Sequence, residues 1–558
     1  MSLHRASYKV LISLCVSTCL LAAAVLAGQS PRQSPQATGG ALGRIDFPTS
    51  GSPSAQEHFL RGVAALHSFW YEEALEAFQA ATKVEPGFAL GYWGEALAHN
   101  HPLWNEQDAE AARRTLAKIP ADAKLTARES AYLNAVKALY GEGDKHARDL
   151  AYAAAMEKVY KDYPADLEAA SFYALSLLGA VRPTDKGYRL QAQAGAIALD
   201  VYAKNPNHPG AAHYIIHAFD DPEHAILALP AARRYAEIAP DAHHARHMPS
   251  HIFTRLGLWQ EAIRSNLGAK AAAEAHAVRN RLPGAWDEQF HAMDYLAYAY
   301  LQGAQDKQAG GLLDELNKIR RVDPPNFKVA YAFTAIPARY ALERRQWNEA
   351  AKLPLHPGTM ETFPWERFRW AEAQVRFARA IGLARTGDAA AARREVEELA
   401  AIRQALVEVK GDYDWGKQVE IKRQVASGWL AHAEGKQEES LRLMRAAAEL
   451  DDATEKHPVT PGTLLPAREQ LGELLLELRQ PAAALQEFET ALRSAPNRFN
   501  GLYGAARAAK LAADRKRAKT YYGQLLALCR RADSPRAEIE EAKVFLNGVN
   551  VPDSVSTR

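Results

Sequence analysis

The sequence predicts an all-α protein in which tandem helix pairs stack into an α-solenoid. Its 558 residues are too many for one ordinary compact domain, which favours several domains or a repeat array. Ala, Leu, Glu and Arg dominate the composition and continuous β-branched runs are scarce, so helices are favoured over strands. A spacing of 34 residues also recurs, because it separates the pair His213 and His217 from the pair His247 and His251. A period of this length is typical of a two-helix repeat.

Residues 1–27 have the pattern of a secretory signal peptide. Arg5 and Lys9 precede a largely apolar run over residues 10–27, which ends in small residues suited to cleavage. We therefore expect an exported protein, periplasmic or extracellular. The alternative is an uncleaved membrane anchor, since an apolar run of about 18 residues could just span a bilayer. Only Cys529 lies outside this run, so the mature chain can form no intramolecular disulfide.

The charge balance argues against a polyanionic partner. The chain has 68 Lys+Arg and 66 Asp+Glu, and removal of Arg5 and Lys9 with the signal peptide leaves 68 − 2 = 66 of each sign. Nucleic-acid binding usually requires a strongly basic surface. We expect no nucleic-acid partner, and no membrane span once the signal peptide is cleaved.

The repeats occupy residues 55–546, between two segments predicted to be disordered. Residues 28–54 are rich in Ser, Pro, Gly and Gln, and residues 547–558 form a short tail. In each repeat, small residues let two helices cross closely, an aromatic residue fills the groove between them, and a proline ends the second helix. One copy, from a start at Ala55, has Gly62, Ala74, Phe78, Ala81 and Pro86, and another has Gly472, Ala484, Phe488, Ala491 and Pro496.

Further units can be placed from the same signals, which gives about 10–12 helix pairs. Their predicted starts are Leu167, Pro209, His243, Gln289, Tyr331, Ala373, Ile421 and Arg498 or Phe499. We divide the array into residues 55–200, 201–303, 304–464 and 465–546. Departures from the period predict loop insertions at residues 182–188, 280–288, 355–366 and 451–465, which are rich in Pro, Gly or charge. Such arrays form a right-handed superhelix with a concave inner surface.

This pattern resembles the tetratricopeptide-repeat (TPR) family over roughly residues 55–546. Several stretches are also similar to an exported bacterial TPR subfamily, a resemblance that implies no particular activity. They are Leu66-His67-Ser68-Phe69-Trp70-Tyr71, Tyr92-Trp93-Gly94, His101-Pro102-Leu103-Trp104, His213-Tyr214-Ile215-Ile216-His217 and His247-Met248-Pro249-Ser250-His251-Ile252-Phe253. The broad family implies a binding scaffold that holds a peptide, protein or small ligand in its concave groove.

Histidines occupy the positions at which peptide-clamping TPR proteins carry Lys, Arg and Asn. Positions 5 and 9 of the units that start at Pro209 and His243 are the four paired histidines, so a carboxylate clamp is not expected. The predicted groove residues are His213, His217, His247, His251, Tyr214 and His244.

The same histidines suggest a metal site. Two His four residues apart place their nitrogens on one side of a helix, and packed helices are about 8–10 Å apart, so the two pairs can converge on one ion. Zn, Cu, Ni and Fe(II) all accept imidazole. His291 and Asp294 on the following helix are candidates for further ligands. The histidines could instead contact a non-metal ligand, or only pack between helices.

The other conspicuous residues have simpler explanations. His67 and His101 repeat at 34 residues, as do Trp70 and Trp104, and all four are predicted to be structural. Trp93, Trp104, Trp259 and Trp286 are expected in the core rather than on a carbohydrate-stacking surface. A phosphate-binding loop, a Gly-x-Ser-x-Gly elbow and a His-Glu-x-x-His motif are all absent from the sequence.

Two functions therefore remain open, a binding scaffold and a metal-dependent enzyme or metal-binding protein. A scaffold predicts an open groove, whereas an enzyme predicts a deep pocket closed by the insertion loops.

Overall fold

The computed structural model describes residues 42–182, 187–358, 360, 362–407 and 413–549. Within these residues the chain is helical almost throughout, with 26 α-helices. The first group is α1 (Pro53–His67), α2 (Tyr71–Val84), α3 (Ala89–Ala98), α4 (Ala109–Leu116), α5 (Ala127–Leu139), α6 (Lys145–Asp162), α7 (Leu167–Gly179) and α8 (Arg189–Lys204). The middle group is α9 (Pro209–Ala218), α10 (Ala225–Ile238), α11 (His243–His247), α12 (Pro249–Arg255), α13 (Trp259–Arg279), α14 (Asp287–Gln302), α15 (Asp306–Leu316), α16 (Phe327–Glu343) and α17 (Trp347–Ala350). The last group is α18 (Arg369–Thr386), α19 (Ala389–Val407), α20 (Trp415–Ala433), α21 (Gln437–Asp452), α22 (Ala467–Glu477), α23 (Pro481–Ser494), α24 (Phe499–Leu511), α25 (Arg515–Leu528) and α26 (Ala537–Val549).

Four two-residue strands interrupt the helices in the described part of the chain. Strands β1 (Asn100–His101) and β2 (Glu106–Gln107) pair antiparallel around a 3₁₀ turn at Pro102–Trp104. Strands β3 (Ala285–Trp286) and β4 (Val322–Asp323) pair in parallel. A second 3₁₀ turn, Trp365–Phe368, precedes α18. These strands only fasten connections, so the predicted all-α class is confirmed.

In the two clearest repeats an aromatic ring between small residues closes the helix pair, as the sequence pattern predicts. The ring of Phe78 fills the space beside Gly62 and Gly94, where an added Cβ would come within 2.7 and 2.2 Å of ring carbons. In the C-terminal copy, Phe488 lies against Gly472 and Gly504 in the same way, at 2.8 and 2.3 Å. The aromatic ring of one unit therefore contacts its own first helix and the first helix of the next unit. This repeated contact confirms the TPR-type solenoid.

The first helices of successive units form the inner layer of the array. Helix α7 packs on α9, α14 packs on α16, and α18 packs on both α16 and α20. Two large hydrophobic clusters run along the array, one mainly in the N-terminal half and one in the C-terminal half. The stability of the array is therefore distributed along its length.

The predicted unit starts agree closely with the observed helices. Helices α7, α9, α11 and α24 begin at a predicted residue, and the other first helices begin within a few residues of it. No starts were predicted for the pairs α3–α4 and α5–α6.

The predicted disorder of residues 28–54 is wrong for its described part. Phe47 is completely buried and Leu42 nearly so, and Phe47 packs edge-on against Phe59 and Trp93. Arg44 N also donates to Asn207 O at 2.8 Å, which fastens this segment beside α9. Residues 1–41, with the predicted signal peptide, lie outside the described residues. At the other end α26 continues to Val549, so the predicted tail starts three residues too early.

The C-terminal units contact the middle of the array. Trp259 Nε1 donates to Asn497 O at 2.6 Å, and Arg536 pairs with Asp306 at 3.0 Å. The buried guanidinium of Arg498 binds Glu469, Glu343 and the hydroxyl of Tyr298, which belong to three different units. The respective distances are 2.7, 2.7 and 2.6 Å. Removal of one partner from such a buried cluster is strongly destabilising, because it leaves an unpaired charge.

We expect Gly504→Ala to lower the free energy of unfolding by about 1–3 kcal/mol, because its new Cβ would overlap the Phe488 ring. Gly523→Ala in the neighbouring α25 is the matched control, since no atom lies within 4 Å of its added Cβ. Helix propensity should leave that variant unchanged or more stable by up to about 1 kcal/mol. Urea unfolding measures both, and equal stabilities would contradict the packing contact.

Candidate functional site

A cavity of about 650 Å³ lies on the inner side of the helix array, and we call it the central cavity. Four histidines line one side of it, and they are His217, His244, His251 and His291. Other parts of its wall come from connecting segments. Trp104 comes from the β1–β2 turn, Tyr188 from the insertion at 182–188, and His457 from the insertion at 451–465. The inner surface is therefore a pocket bounded by segments far apart in sequence.

The insertion at residues 451–465 is held in place by buried contacts. Arg339, which is fully buried, donates to Thr463 O at 2.9 Å and to Gly462 O at 3.2 Å. His457 stacks on Trp415 with ring centroids 5.2 Å apart. This loop belongs to the wall of the central cavity.

Two groups of three histidines converge beside the cavity. The first trio is His213, His217 and His244, and the second trio is His247, His251 and His291. In each trio one nitrogen per ring lies within 4.8 Å of the others. The four paired histidines were expected to converge on one ion, but the structure divides them between two trios. Each helical pair takes its third member from the following unit.

Helix geometry explains why the pairs stay in register. His208 caps α9, because its Nδ1 accepts from Ala211 N at 3.1 Å, and Pro209 follows at the first helical position. The second pair spans the break between α11 and α12, where Pro249 has no N–H to donate. Met248 keeps right-handed helical angles of φ −53° and ψ −35°, so His247 and His251 still lie on one face.

In the second trio the hydrogen-bond partners fix the proton on His247. Its Nδ1 lies 2.7 Å from Asn266 Oδ1. Asn266 Nδ2 donates to Ala262 O at 2.9 Å, so Oδ1 is the end that faces the histidine. An amide oxygen only accepts, so His247 Nδ1 carries the proton and Nε2 has a free lone pair.

The same reasoning applies to His251. Its Nδ1 lies 2.9 Å from Asp220 Oδ2, and Asp220 also receives Arg255 Nε at 2.8 Å and Lys456 Nζ at 3.5 Å. Burial disfavours an ionised Asp220, but the charges of Lys456 and Arg255 hold the pKa of its carboxyl well below the usual value. A carboxylate only accepts, so His251 Nε2 is also unprotonated. The Nε2 atoms of His247 and His251 lie 3.1 Å apart. Two lone pairs therefore face each other.

The Tyr295 hydroxyl does not relieve this contact. It lies 3.3 Å from both ring nitrogens of His251, and is therefore not in line with the Nε2 lone pair. His291 supplies the third nitrogen, and its ring centroid is 4.0 Å from that of His247.

The first trio has a similar arrangement of imidazole nitrogens, but different residues surround it. His213 Nδ1 donates to the backbone oxygen of His67 at 2.8 Å, which leaves Nε2 unprotonated, 3.0 Å from His217 Nε2. Within the described residues, the buried Nε2 of His244 has no hydrogen-bond partner. Phe69 lies against all three rings, with centroid distances of 4.3, 5.6 and 5.8 Å to His213, His217 and His244.

All six imidazoles are held neutral by their surroundings. Burial lowers the pKa of His213 and of His247 to about 3. Burial, with the charges of neighbouring histidines, lowers the pKa of His217, His244 and His291 well below the usual value. For His251, burial outweighs the hydrogen bond that its Nδ1 donates to Asp220, and the pKa is lowered as well. Neutral imidazole is the form that binds a metal ion.

A third cluster, His67, Glu168 and His208, is explained by internal hydrogen bonds. His67 Nε2 and His208 Nε2 both donate to the Glu168 carboxylate, at 2.7 and 3.1 Å. His67 Nδ1 lies 2.8 Å from the Tyr214 hydroxyl. His67 therefore has a structural role, as predicted, although its partners are side chains rather than backbone groups. Tyr214, a predicted groove residue, is fully buried in this cluster and not in the cavity wall.

Asp294, a predicted metal ligand, lies outside both trios. Its carboxylate faces Arg339 at 3.9 Å, and burial raises its pKa to about 6. Asp294 lies three residues after His291 on α14, and its side chain is turned towards Arg339 on α16. Trp93, Trp259 and Trp286 are buried as predicted, whereas Trp104 lines the cavity.

Residues that hold the ligand histidines were missed by the sequence reasoning. Asn266 is completely buried on α13 among apolar neighbours, and a lone amide on an apolar helix face was the available signal. Asp220 follows the first histidine pair in sequence, but no sequence pattern links it to His251. Lys456 lies in a predicted insertion, and its place beside Asp220 depends on the return of the chain.

Comparisons with known proteins give likenesses at the level of helical repeats. The human IFIT1 dimer with m7Gppp-AAAA is 14% identical, with 86% of this chain and 91% of that chain covered and a TM-score of 0.33. Yeast Tom70 is 12% identical, with 83% and 90% covered and a TM-score of 0.29. The TPR domain of P58(IPK) is 14% identical, with 69% and 99% covered and a TM-score of 0.21.

No protein-family model matches the sequence, and no curated protein matches it either. The assignment to a TPR-type repeat scaffold therefore rests on the helix pairs and ring contacts of the chain itself. Among the described helices, none is long and apolar enough to cross a membrane.

We expect Glu168→Gln to lower the free energy of unfolding near neutral pH by about 1.5–3 kcal/mol, which is the usual contribution of a hydrogen bond to a charged group. Burial opposes its charge, but His208 and His67 hold the pKa of Glu168 well below its value in the unfolded chain, about 4.3. This contribution is present above the unfolded pKa and is lost as pH falls towards the folded pKa, so the difference between the two proteins should shrink steadily below about pH 4.

Urea unfolding between pH 3 and pH 8 tests this prediction. Glu157→Gln on α6 is the control, because its pair with Lys161 is exposed and should change the free energy of unfolding by less than about 0.5 kcal/mol. A stability difference for Glu168→Gln that stayed constant with pH would contradict the ionised cluster.

Proposed function

We propose that this TPR-type scaffold is an exported metalloprotein that binds a divalent transition-metal ion at the second trio and a small ligand in the central cavity. The observation that carries the proposal is the pair of facing lone pairs on His247 and His251, 3.1 Å apart. Such a contact is repulsive in the absence of a cation, and both protons are fixed elsewhere by Asn266 and Asp220. Export rests on the signal-like sequence of residues 1–27.

The residues fit an imidazole-preferring ion. His247, His251 and His291 would hold it, and Asn266 and Asp220 orient two of these rings through their Nδ1 protons. A carboxylate or amide behind a ligand histidine is the usual arrangement around zinc, and it raises the basicity of the ring. Zn, Cu, Ni and Fe are the candidates.

The pocket supports a chemical role for this ion. Three protein ligands leave a position for water or a ligand, and His251 and His291 both line the cavity. When bound, such an ion supplies a Lewis acid or an activated water. A cavity of about 650 Å³ has the size of small-molecule sites. These features favour the metal-dependent enzyme over an open peptide-binding groove.

A second candidate function is a binding scaffold that holds a small ligand without metal. It is supported by the aromatic residues in the cavity wall, among them Trp104, Tyr188 and Trp415. Flat rings of this kind bind apolar or aromatic ligands. Metal analysis separates the two candidates.

We expect purified protein incubated with Zn²⁺, Cu²⁺, Ni²⁺ and Fe²⁺ to retain metal, and His291→Phe to retain one equivalent less. Phenylalanine keeps the ring shape and removes both nitrogens. His146→Phe is the control, because His146 lines the same cavity outside both trios. Elemental analysis by mass spectrometry after desalting gives the stoichiometry. The proposal fails if His291→Phe and the wild type hold equal amounts of metal, or if neither holds any.

We expect Asn266→Ala to weaken metal binding at the second trio by about 10–100-fold. The substitution removes no ligand, but the proton of His247 is then no longer held on Nδ1. Asn280→Ala, at the exposed end of the same helix, should leave the affinity unchanged. Competition with a chromophoric chelator measures both dissociation constants. An unchanged affinity in Asn266→Ala would show that the fixed proton on His247 does not support metal binding.

A further inference from the structure

The first trio differs from the second in the groups that surround it. In the second trio, Asp220 places a carboxylate behind His251. In the first trio, the Nδ1 partner of His213 is the neutral backbone oxygen of His67. Among the described residues, no carboxylate forms a hydrogen bond with His213, His217 or His244.

The shell of the first trio is aromatic instead. Phe69 contacts all three rings, Tyr235 stacks on His213 at 5.1 Å, and Trp104 lies edge-on to His244 at 5.9 Å. A shell without a hydrogen-bonded carboxylate stabilises a highly charged ion poorly, because such a charge requires counter-charge or solvation. An ion of low charge is stabilised better.

One nitrogen atom of the first trio lacks a partner. His213 Nε2 is unprotonated and lies 3.0 Å from His217 Nε2, which can donate to it. His244 is 5% exposed, and its buried Nε2 has no hydrogen-bond partner in the described part of the chain. A buried polar atom of this kind normally has a partner. One nitrogen of His244 lies within 4.8 Å of the ligand nitrogens of the other two rings.

We infer that the first trio is a second metal site, separate from the one at the second trio, and that it binds a cuprous ion. Imidazole is a good ligand for copper, and three neutral rings add no charge to a monovalent ion. The absence of a carboxylate and the aromatic shell distinguish this site from the divalent site beside Asp220. His217 and His244 also line the central cavity, so both ions would border one pocket.

The test incubates the full mature chain anaerobically with equimolar Zn²⁺ and Cu⁺, desalts it, and measures both metals. We expect one zinc and one copper per wild-type chain. His244→Phe should lose the copper and keep the zinc, whereas His291→Phe should lose the zinc and keep the copper. His146→Phe should keep both.

Copper retained at the wild-type level in His244→Phe would overturn the inference, and so would a wild type without copper. Loss of zinc from His291→Phe in the same experiment would leave the divalent site established, so the two proposals fail separately. Thermal unfolding of the metal-free proteins controls for misfolding. Because His244→Phe removes an unpaired buried nitrogen, its unfolding temperature should equal or exceed that of the wild type. X-ray absorption at the copper edge should show nitrogen ligands and the Cu(I) state.

Discussion

The C-terminal units return to the middle of the array, and a buried charge cluster centred on Arg498 joins them to it. The Arg498 guanidinium is fully buried and binds Glu469 beside its own helix, Glu343 on α16 and the Tyr298 hydroxyl on α14. Three units from distant parts of the sequence therefore share one charge. A hydrophobic contact would tolerate sliding between units, whereas a bidentate pair with Glu469 fixes direction as well as distance. The register of the returning chain then places the insertion at residues 451–465 over the cavity.

The second physical theme is the control of proton position. Three histidines, His213, His247 and His251, each donate a hydrogen bond from Nδ1 to an oxygen atom that can only accept. Burial keeps the rings neutral, and in the second trio the fixed tautomers of His247 and His251 aim two Nε2 lone pairs at one another. There the fold maintains an electrostatically unfavourable arrangement of lone pairs by means of neighbouring groups. The two trios share a similar arrangement of nitrogens but differ in the residues around them, which is the basis for proposing two chemically distinct sites beside one cavity.

Much of the architecture could be predicted from the sequence. Pro209 and the glycine and phenylalanine pattern mark helix starts and crossings by local sterics, and the spacing of His213 and His217 places both on one face. The grouping of the histidines could not be predicted, since it depends on how far one inner helix is rotated against the next. Asp294 shows the same limit, because its face of α14 is turned towards Arg339. Leu42 and Phe47 were assigned to a polar lead-in, since composition does not reveal two apolar residues that reach a core.

The composite wall of the cavity restricts how this repeat protein can change. Trp104 and His457 face the same space although many repeat units separate them along the chain. In an ordinary solenoid each unit contacts only its neighbours, so units can be gained or lost at modest cost. Here the gain of a single unit between them would rotate the returning segment away from Arg498 and its partners. The pocket therefore fixes the number of repeats. We expect variants of this chain that retain the pocket to differ in their loops and outer helices while the repeat count stays constant.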